Sequence, residues 1–283
     1  MKFRLRCTTV FALSCVLAAT CAAQSPREQA WTVLKQGLDN SNIEKRIKAV
    51  AYLGLLPDDS QALAAALTAL KDPKPEVRTA AAQALGEMGA RSAIPQLKQA
   101  LQDSDPSVIL ASGHALLALK DDEGYDVFYA VLTGQEKPGV GLLGEGKKAF
   151  DDPRKLATLG FQTALGFVPF GSVGLSAYKF LSKDDSAALA AAALTLANDP
   201  DPKSGQALAD AALNQKKWLV RAAAFNAIAK RGDPSLMHTG VLGLQDAEDE
   251  VEYAAAATVI RLSDIEAGHK EKAKPQRHTT PKH

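Results

Sequence analysis

The chain has 283 residues, is 46% hydrophobic and 23% charged, and carries a formal net charge of +1. That length allows a sizeable core, and the composition is ordinary for a folded chain. The near balance of charge excludes a general nucleic-acid binder, which would show a basic stripe.

Residues 1–23 read as a secretory signal peptide. Lys2, Arg4 and Arg6 form a positive start, Thr8 to Ala19 an apolar run too short to span a membrane, and Cys21-Ala22-Ala23 a small-residue cleavage site before Gln24. Cys21 follows Thr20, with Ala18 at the third position before it, so a lipid-accepting cysteine is not expected. The mature protein is therefore expected to be exported, periplasmic or secreted. Its three cysteines, Cys7, Cys15 and Cys21, all lie in the leader, so disulfides are not expected to stabilise it.

Residues 24–136 open with "SPREQAWTVLKQGL". Ser25 as N-cap, Pro26 at the first helical position and Glu28 three after the cap form a capping box with a proline start. Small-faced helices follow in "EKRIKAVAYLGLL", "EVRTAAAQALGEMG" and "PSVILASGHALLAL". They return in residues 184–262 as "SAALAAAALTLA", "WLVRAAAFNAIAKRG" and "DEVEYAAAATVIRL". Val77 to Val108 and Val220 to Val251 are both 31 residues, and Arg46 to Arg78 is 32. Between them lie partner helices such as "SQALAAALTALKD" and "RSAIPQLKQALQD", apolar at i, i+3, i+4 and i+7. Asp and Pro in "KDPKPE", "QDSDPS" and "ANDPDP" stop one helix and start the next. A fixed period of this kind predicts an all-α array of about six helix pairs, each burying its apolar face on its neighbours.

Asp72, Pro73, Val77, Arg78, Ala81, Ala82, Ala84, Leu85 and Gly86 resemble the second-helix motif of HEAT-like repeats of the phycobilisome-lyase type. The resemblance covers roughly Ser25 to Leu262, apart from residues 137–183. It implies a right-handed α-α superhelix whose second helices line a concave face. It also implies an Asp–Arg ladder running through the repeats. Arg46, Arg78 and Arg221 hold the basic position, while Ile109 and Glu252 replace it in the third and last repeats, so the ladder is expected to break there.

Residues 137–183 interrupt the period. After Val108 the next equivalent position falls at Ala188, leaving an insertion inside the fourth pair, between "DEGYDVFYAVLTG" and the helix after Asp185. "GQEKPGVGLLGEGKKAF" reads as a loop, and "DPRKLATLGFQTALGF" and "GLSAYKFLSK" as two short helices broken by "VPFGSVG". No charged residue occurs from Leu156 to Tyr178. That run is long enough to span a bilayer, but Pro169 and Gly171 near its middle would leave backbone groups unpaired in lipid. The favoured reading is an apolar helical hairpin folded on the solenoid; a hairpin resting on a membrane surface or a partner is the alternative. Burying Phe161, Phe167 and Phe170 would contribute about 1.5–3 kcal/mol each.

No pair of the five histidines has i, i+4 ligand spacing, and no phosphate loop or nucleophile elbow is present. No metal, no cofactor and no catalytic residue is expected. Asp121-Asp122 and Asp184-Asp185 sit at helix starts, where negative charge is favourable. Residues 263–283, with "GHKEKAKPQRHTTPKH", read as a disordered basic tail. The expected function is a non-catalytic scaffold that binds a protein or peptide through its concave face, with peripheral membrane contact as a further option. Candidate binding residues are Arg46, Arg78, His114, Arg221, Phe161, Phe167 and Phe170, although the arginines also read as links between repeats. Alternatives are a lyase-like enzyme or enzyme subunit, which the resemblance admits, or a membrane-surface adaptor using the hairpin. The oligomeric state is not legible in the sequence.

Overall fold

The structure, a computed structural model, describes residues 24–133 and 186–273. Among these residues it is all-helical. The expected insertion at 137–183, with Phe161, Phe167 and Phe170, and the leader lie outside the described residues.

Seven helices precede residue 134: α1 (Pro26–Leu38), α2 (Ile43–Tyr52), α3 (Ser60–Ala69), α4 (Pro75–Glu87), α5 (Ile94–Ala100), α6 (Pro106–Ala118) and α7 (Glu123–Thr133). Five follow: α8 (Ser186–Leu196), α9 (Pro202–Asn214), α10 (Trp218–Arg231), α11 (Met237–Gly243) and α12 (Asp249–Ala273). A 3-10 turn, Leu53–Leu55, extends α2. The predicted capping box forms at Ser25, whose hydroxyl accepts from Glu28 N while Ser25 N donates to Glu28 Oε2 at 2.8 Å. Asp59, Asp105 and Asp201 cap α3, α6 and α9 through their carboxylates, and Pro opens α4, α6 and α9 at the first turn.

Second helices stack on second helices, α2 on α4, α4 on α6, α8 on α10 and α10 on α12. The faces that meet are alanine-rich. Ala81, Ala82, Ala84 and Leu85 of α4 and Ala222, Ala223, Ala224 and Ala227 of α10 are buried. Small side chains let the helix axes approach closely, and the larger Phe225, Ile228, Leu116 and Ile260 fill what remains.

The order of the row in space differs from its order along the chain. The first and last helices, α1 and α12, pack against one another, and α12 also packs on α2 and on the 3-10 turn. In space the row therefore runs α8, α10, α12, then α1 with α2, then α4, α6 and α7. The two ends of the repeat array meet in its middle, and residues 134–185 join its outer ends. Gly37 of α1 shows how tight this seam is. A Cβ there would stand 2.7 Å from both Ala49 Cβ and the Tyr253 ring.

The last helix also runs past Leu262, where a disordered tail was expected to begin, as far as Ala273. The reason is tertiary. Asp264 accepts from Arg27 of α1, and Ile265 packs against the core. The local composition of the tail carries no trace of these partners. Residues 274–283 lie outside the described residues.

A repeated polar link sets the spacing between pairs. Arg78 grips Asp103 through Nε and Nη2, both at 2.7 Å, and its Nη1 donates to the carbonyl of Asp72 at 2.9 Å. Arg221 repeats this on Asp246, at 2.8 Å twice, and on the Gln215 carbonyl. Arg46 does so on Asp72, at 3.1 and 3.3 Å. Each of these aspartates also accepts a backbone N–H two residues on, from Lys74, Asp105 and Glu248. One short carboxylate thus builds a turn and receives the arginine fork, which is the strong bidentate geometry. The Arg78 and Asp103 side chains keep only 15% and 13% of their exposure, so losing one partner strands the other. Arg78→Ala is expected to lower unfolding stability by about 3 kcal/mol in chemical denaturation, whereas the exposed Lys120→Ala should change it by less than about 0.5 kcal/mol.

Candidate functional site

The ladder positions lacking arginine behave as the sequence suggests, but each has a substitute. Ile109 is fully buried. In the same repeat Lys98 of α5 pairs with Asp121 at 3.0 Å and Glu123 at 2.7 Å. Glu252 of α12 stands at the seam, where the polarity reverses. Lys45 of α2 pairs with Asp249 at 2.9 Å and Lys48 with Glu250 at 2.9 Å. Glu252 itself titrates above the ordinary carboxylate value, first through burial and then through Asp249, against the opposing pull of Lys45. At the other end of the seam Arg27 bridges Asp59, at 2.5 Å, and Asp264, at 2.7 Å.

Beyond the ladder, charged groups of α4, α10 and α12 gather about the 3-10 turn, Glu87 and Lys230 at the C-terminal ends of α4 and α10 and Arg261 midway along α12. Lys230 of α10 acts on the Glu87 carboxylate of α4, although α12 and α2 stand between these helices in the row. Arg261 of α12 donates to the carbonyl of Ala229 at 2.9 Å and reaches that of Leu55 at 3.5 Å. The 3-10 turn thus lies against α4, α10 and α12 together. Glu87 folds over Gly54; a Cβ there would meet its Oε2 at 2.4 Å, so only glycine leaves the carboxylate its place.

This position alters the chemistry of these groups. Glu87 is exposed at the surface, although neighbouring protein groups displace part of the water around it. Its carboxyl is pushed up to about 7 by that desolvation, against the opposing charge of Lys230. Desolvation also lowers Lys230, with Glu87 opposing, and lowers Arg261, with Asp58 and Asp264 opposing. Deeper in the same region the Tyr52 hydroxyl lies beside Asn226, which is fully buried; desolvation, reinforced by Glu250, holds Tyr52 well above the ordinary phenol value. The arrangement offers a carboxylate that exchanges protons near neutrality, an ammonium and a guanidinium on one inner surface.

The sequence-derived candidates sit elsewhere. Arg46, Arg78 and Arg221 are engaged in the ladder. His114 of α6 is half-buried against α7, its ring 4.4 Å from that of Phe128 and tilted by 56°, and burial lowers its pKa below the ordinary imidazole value. None of the four lies in the inner cluster. Glu87, Lys230 and Arg261 were missed because they follow the helical motif rather than belong to it; their only signal was charge at equivalent distances after Arg78, Arg221 and Glu252. Two grooves open between successive first helices. One, of about 460 Å³, is bordered by Lys35, Asp39, Thr68 and Asp72; the other, of about 400 Å³, by Lys71, Gln96, Gln99 and Gln102. Among the described residues no cluster of metal-ligating side chains occurs and no helix is long and apolar enough to cross a membrane.

Residues 32–136 match the family model of HEAT repeats. Over these residues the chain is similar to HEAT repeats. A comparison with curated proteins finds no match. Among solved structures the chain is similar to the complex of CpcE and CpcF of phycocyanin lyase from Nostoc sp. PCC7120, at 20% identity over 89% of this chain and 97% of that one, with a TM-score of 0.33. It is similar to human deoxyhypusine hydroxylase in complex with glycerol, at 18% identity over 85% and 86%, TM-score 0.29. An engineered protein matches at 16% identity over 83% and 97%, TM-score 0.29. The HEAT fold rests on the family match and on the ladder geometry described above.

The raised Glu87 carboxyl has a sign that can be checked. Its folded pKa lies above the ordinary 4.5, so the folded state holds this proton through a range in which the unfolded chain has lost it. Stability from this group rises as pH falls from about 7 toward 4.5 and is lost above. Glu87→Gln, which mimics the protonated form, is expected to melt above the wild type at pH 8 and level with it at pH 4 in parallel thermal scans.

Proposed function

We propose that this protein is an exported, non-catalytic HEAT-repeat scaffold that binds a protein or peptide partner along the inner surface of its curved row. The observation that carries this reading is the gathering of Glu87 of α4, Lys230 of α10 and Arg261 of α12 about the 3-10 turn, on a frame whose spacing is fixed by the arginine ladder. A rigid frame lowers the ordering cost of binding, and mixed charge on it selects a partner of complementary pattern. The ladder arginines are already engaged with aspartates and carbonyls, so they support the surface rather than present it. Export is proposed on the leader-like residues 1–23.

The test uses residues 24–283 as bait on an envelope fraction, with mass spectrometry of what is retained. A defined partner is expected to be recovered with the wild type. Lys230→Glu should reduce its recovery by about tenfold, equivalent to about 1.4 kcal/mol, while far-ultraviolet circular dichroism and melting temperature stay close to wild type. Equal recovery with Lys230→Glu and with a Glu87→Lys variant would remove the inner cluster from the proposal.

A further inference from the structure

We propose that the seam between α12 and the α1–α2 pair is an exchangeable interface, at which a second copy of this chain can supply the half of the row that each copy needs. This goes beyond the binding role above and does not depend on it.

The two faces of the seam belong to opposite ends of the chain and are opposite in charge. The α2 face presents Lys45 and Lys48, and the α12 face presents Asp249 and Glu250, paired at 2.9 Å in both cases. Arg27 of α1 meets Asp264 of α12 at 2.7 Å. Each face therefore fits the other and repels a copy of itself. A second chain is accepted only with its α12 on the first chain's α1 and α2, and the reciprocal contact then closes a two-chain assembly. The seam's shape selects in the same direction, since the space left by Gly37 receives the ring of Tyr253.

Nothing in the described halves ties a given α12 to its own α1. Residues 24–133 stack among themselves, as do 186–273. The halves are joined by residues 134–185, 52 in number, which leave α7 at one outer end of the row and enter α8 at the other. Fully extended, that length reaches up to about 170 Å, many times the roughly 10 Å between packed helices. The contacts made within one chain and between two are the same, so concentration decides between them.

The seam's charges give the test. One variant carries Lys45→Glu and Lys48→Glu, the other Asp249→Lys and Glu250→Lys. Each alone places like charges across its seam. Mixed, the two chains regain opposite charges at both seams, but only by exchanging halves. After co-refolding, sedimentation is expected to show a species of twice the chain mass containing both variants in equal amounts, at least tenfold more abundant than in either variant alone. A mixture no richer in that species than its components overturns the proposal. A second measurement uses the wild type and does not rely on variants that fold. Isotope-labelled and unlabelled protein are co-refolded at high concentration and treated with a zero-length carbodiimide. Cross-linked Lys48–Glu250 peptides carrying one labelled and one unlabelled half support the exchange. Only same-isotope pairs contradict it.

Discussion

The packing of α12 onto α1 and α2 determines what kind of object this protein is. A repeat array stacked in chain order has two free ends, and each needs a polar cap. Here the ends that the chain order would leave free are buried against each other. Trp31 and Leu34 of α1 and Val259 and Ile260 of α12 are core residues. Without this contact Tyr253 would lose the space beside Gly37, and the charges of Lys45, Lys48, Asp249 and Glu250 would face solvent. The approach of Glu87 to Lys230 also passes through the seam, because α12 and α2 stand between their helices.

Two kinds of link hold the row, and they differ in chemistry. Inside each half, an aspartate that shapes the turn before a second helix is gripped by the arginine of the preceding one. Fork and carboxylate are both mostly shielded, so geometry as well as charge is fixed there. At the seam the links are the Lys45–Asp249, Lys48–Glu250 and Arg27–Asp264 pairs, with more water around them, Lys45 retaining 39% and Arg27 37% of their side-chain exposure. Such pairs contribute little energy singly, but their signs determine which face meets which. Energy at this contact comes from the packed apolar residues, and selectivity from the charges.

Much of the fold was legible in the sequence because it is written locally. The 31–32-residue period, the Asp-Pro turns and the alanine faces specify helix pairs, and the Asp72 and Arg78 positions specify a ladder. The breaks at Ile109 and Glu252 were readable too, although their substitutes were not. Lys98 acts from a first helix, and the reversed pairs at Glu252 lie across the seam. The seam itself could not be read from the period, which says that each pair needs neighbours without saying that the neighbour of the last pair is the first. The signal was faint but present in the basic Lys45–Lys48 stretch and the acidic run Glu248–Glu252. The inner cluster was illegible for the same reason: Glu87, Lys230 and Arg261 meet only once the order of the row in space is known. His114 was singled out for its chemistry, and its environment beside Phe128 is a packing contact between α6 and α7.

The most direct measurement is a cut in the chain. A protease site placed within residues 134–185 of the full chain, cleaved in the folded state, breaks the covalent connection between the two described halves there. A row permuted in space predicts that both fragments continue to elute together under native conditions, with unchanged helical circular dichroism, and come apart when the seam is breached by denaturant. Fragments that separate on cleavage in native buffer would contradict it, because the packing of α12 on α1 and α2 would then not be what holds the halves together.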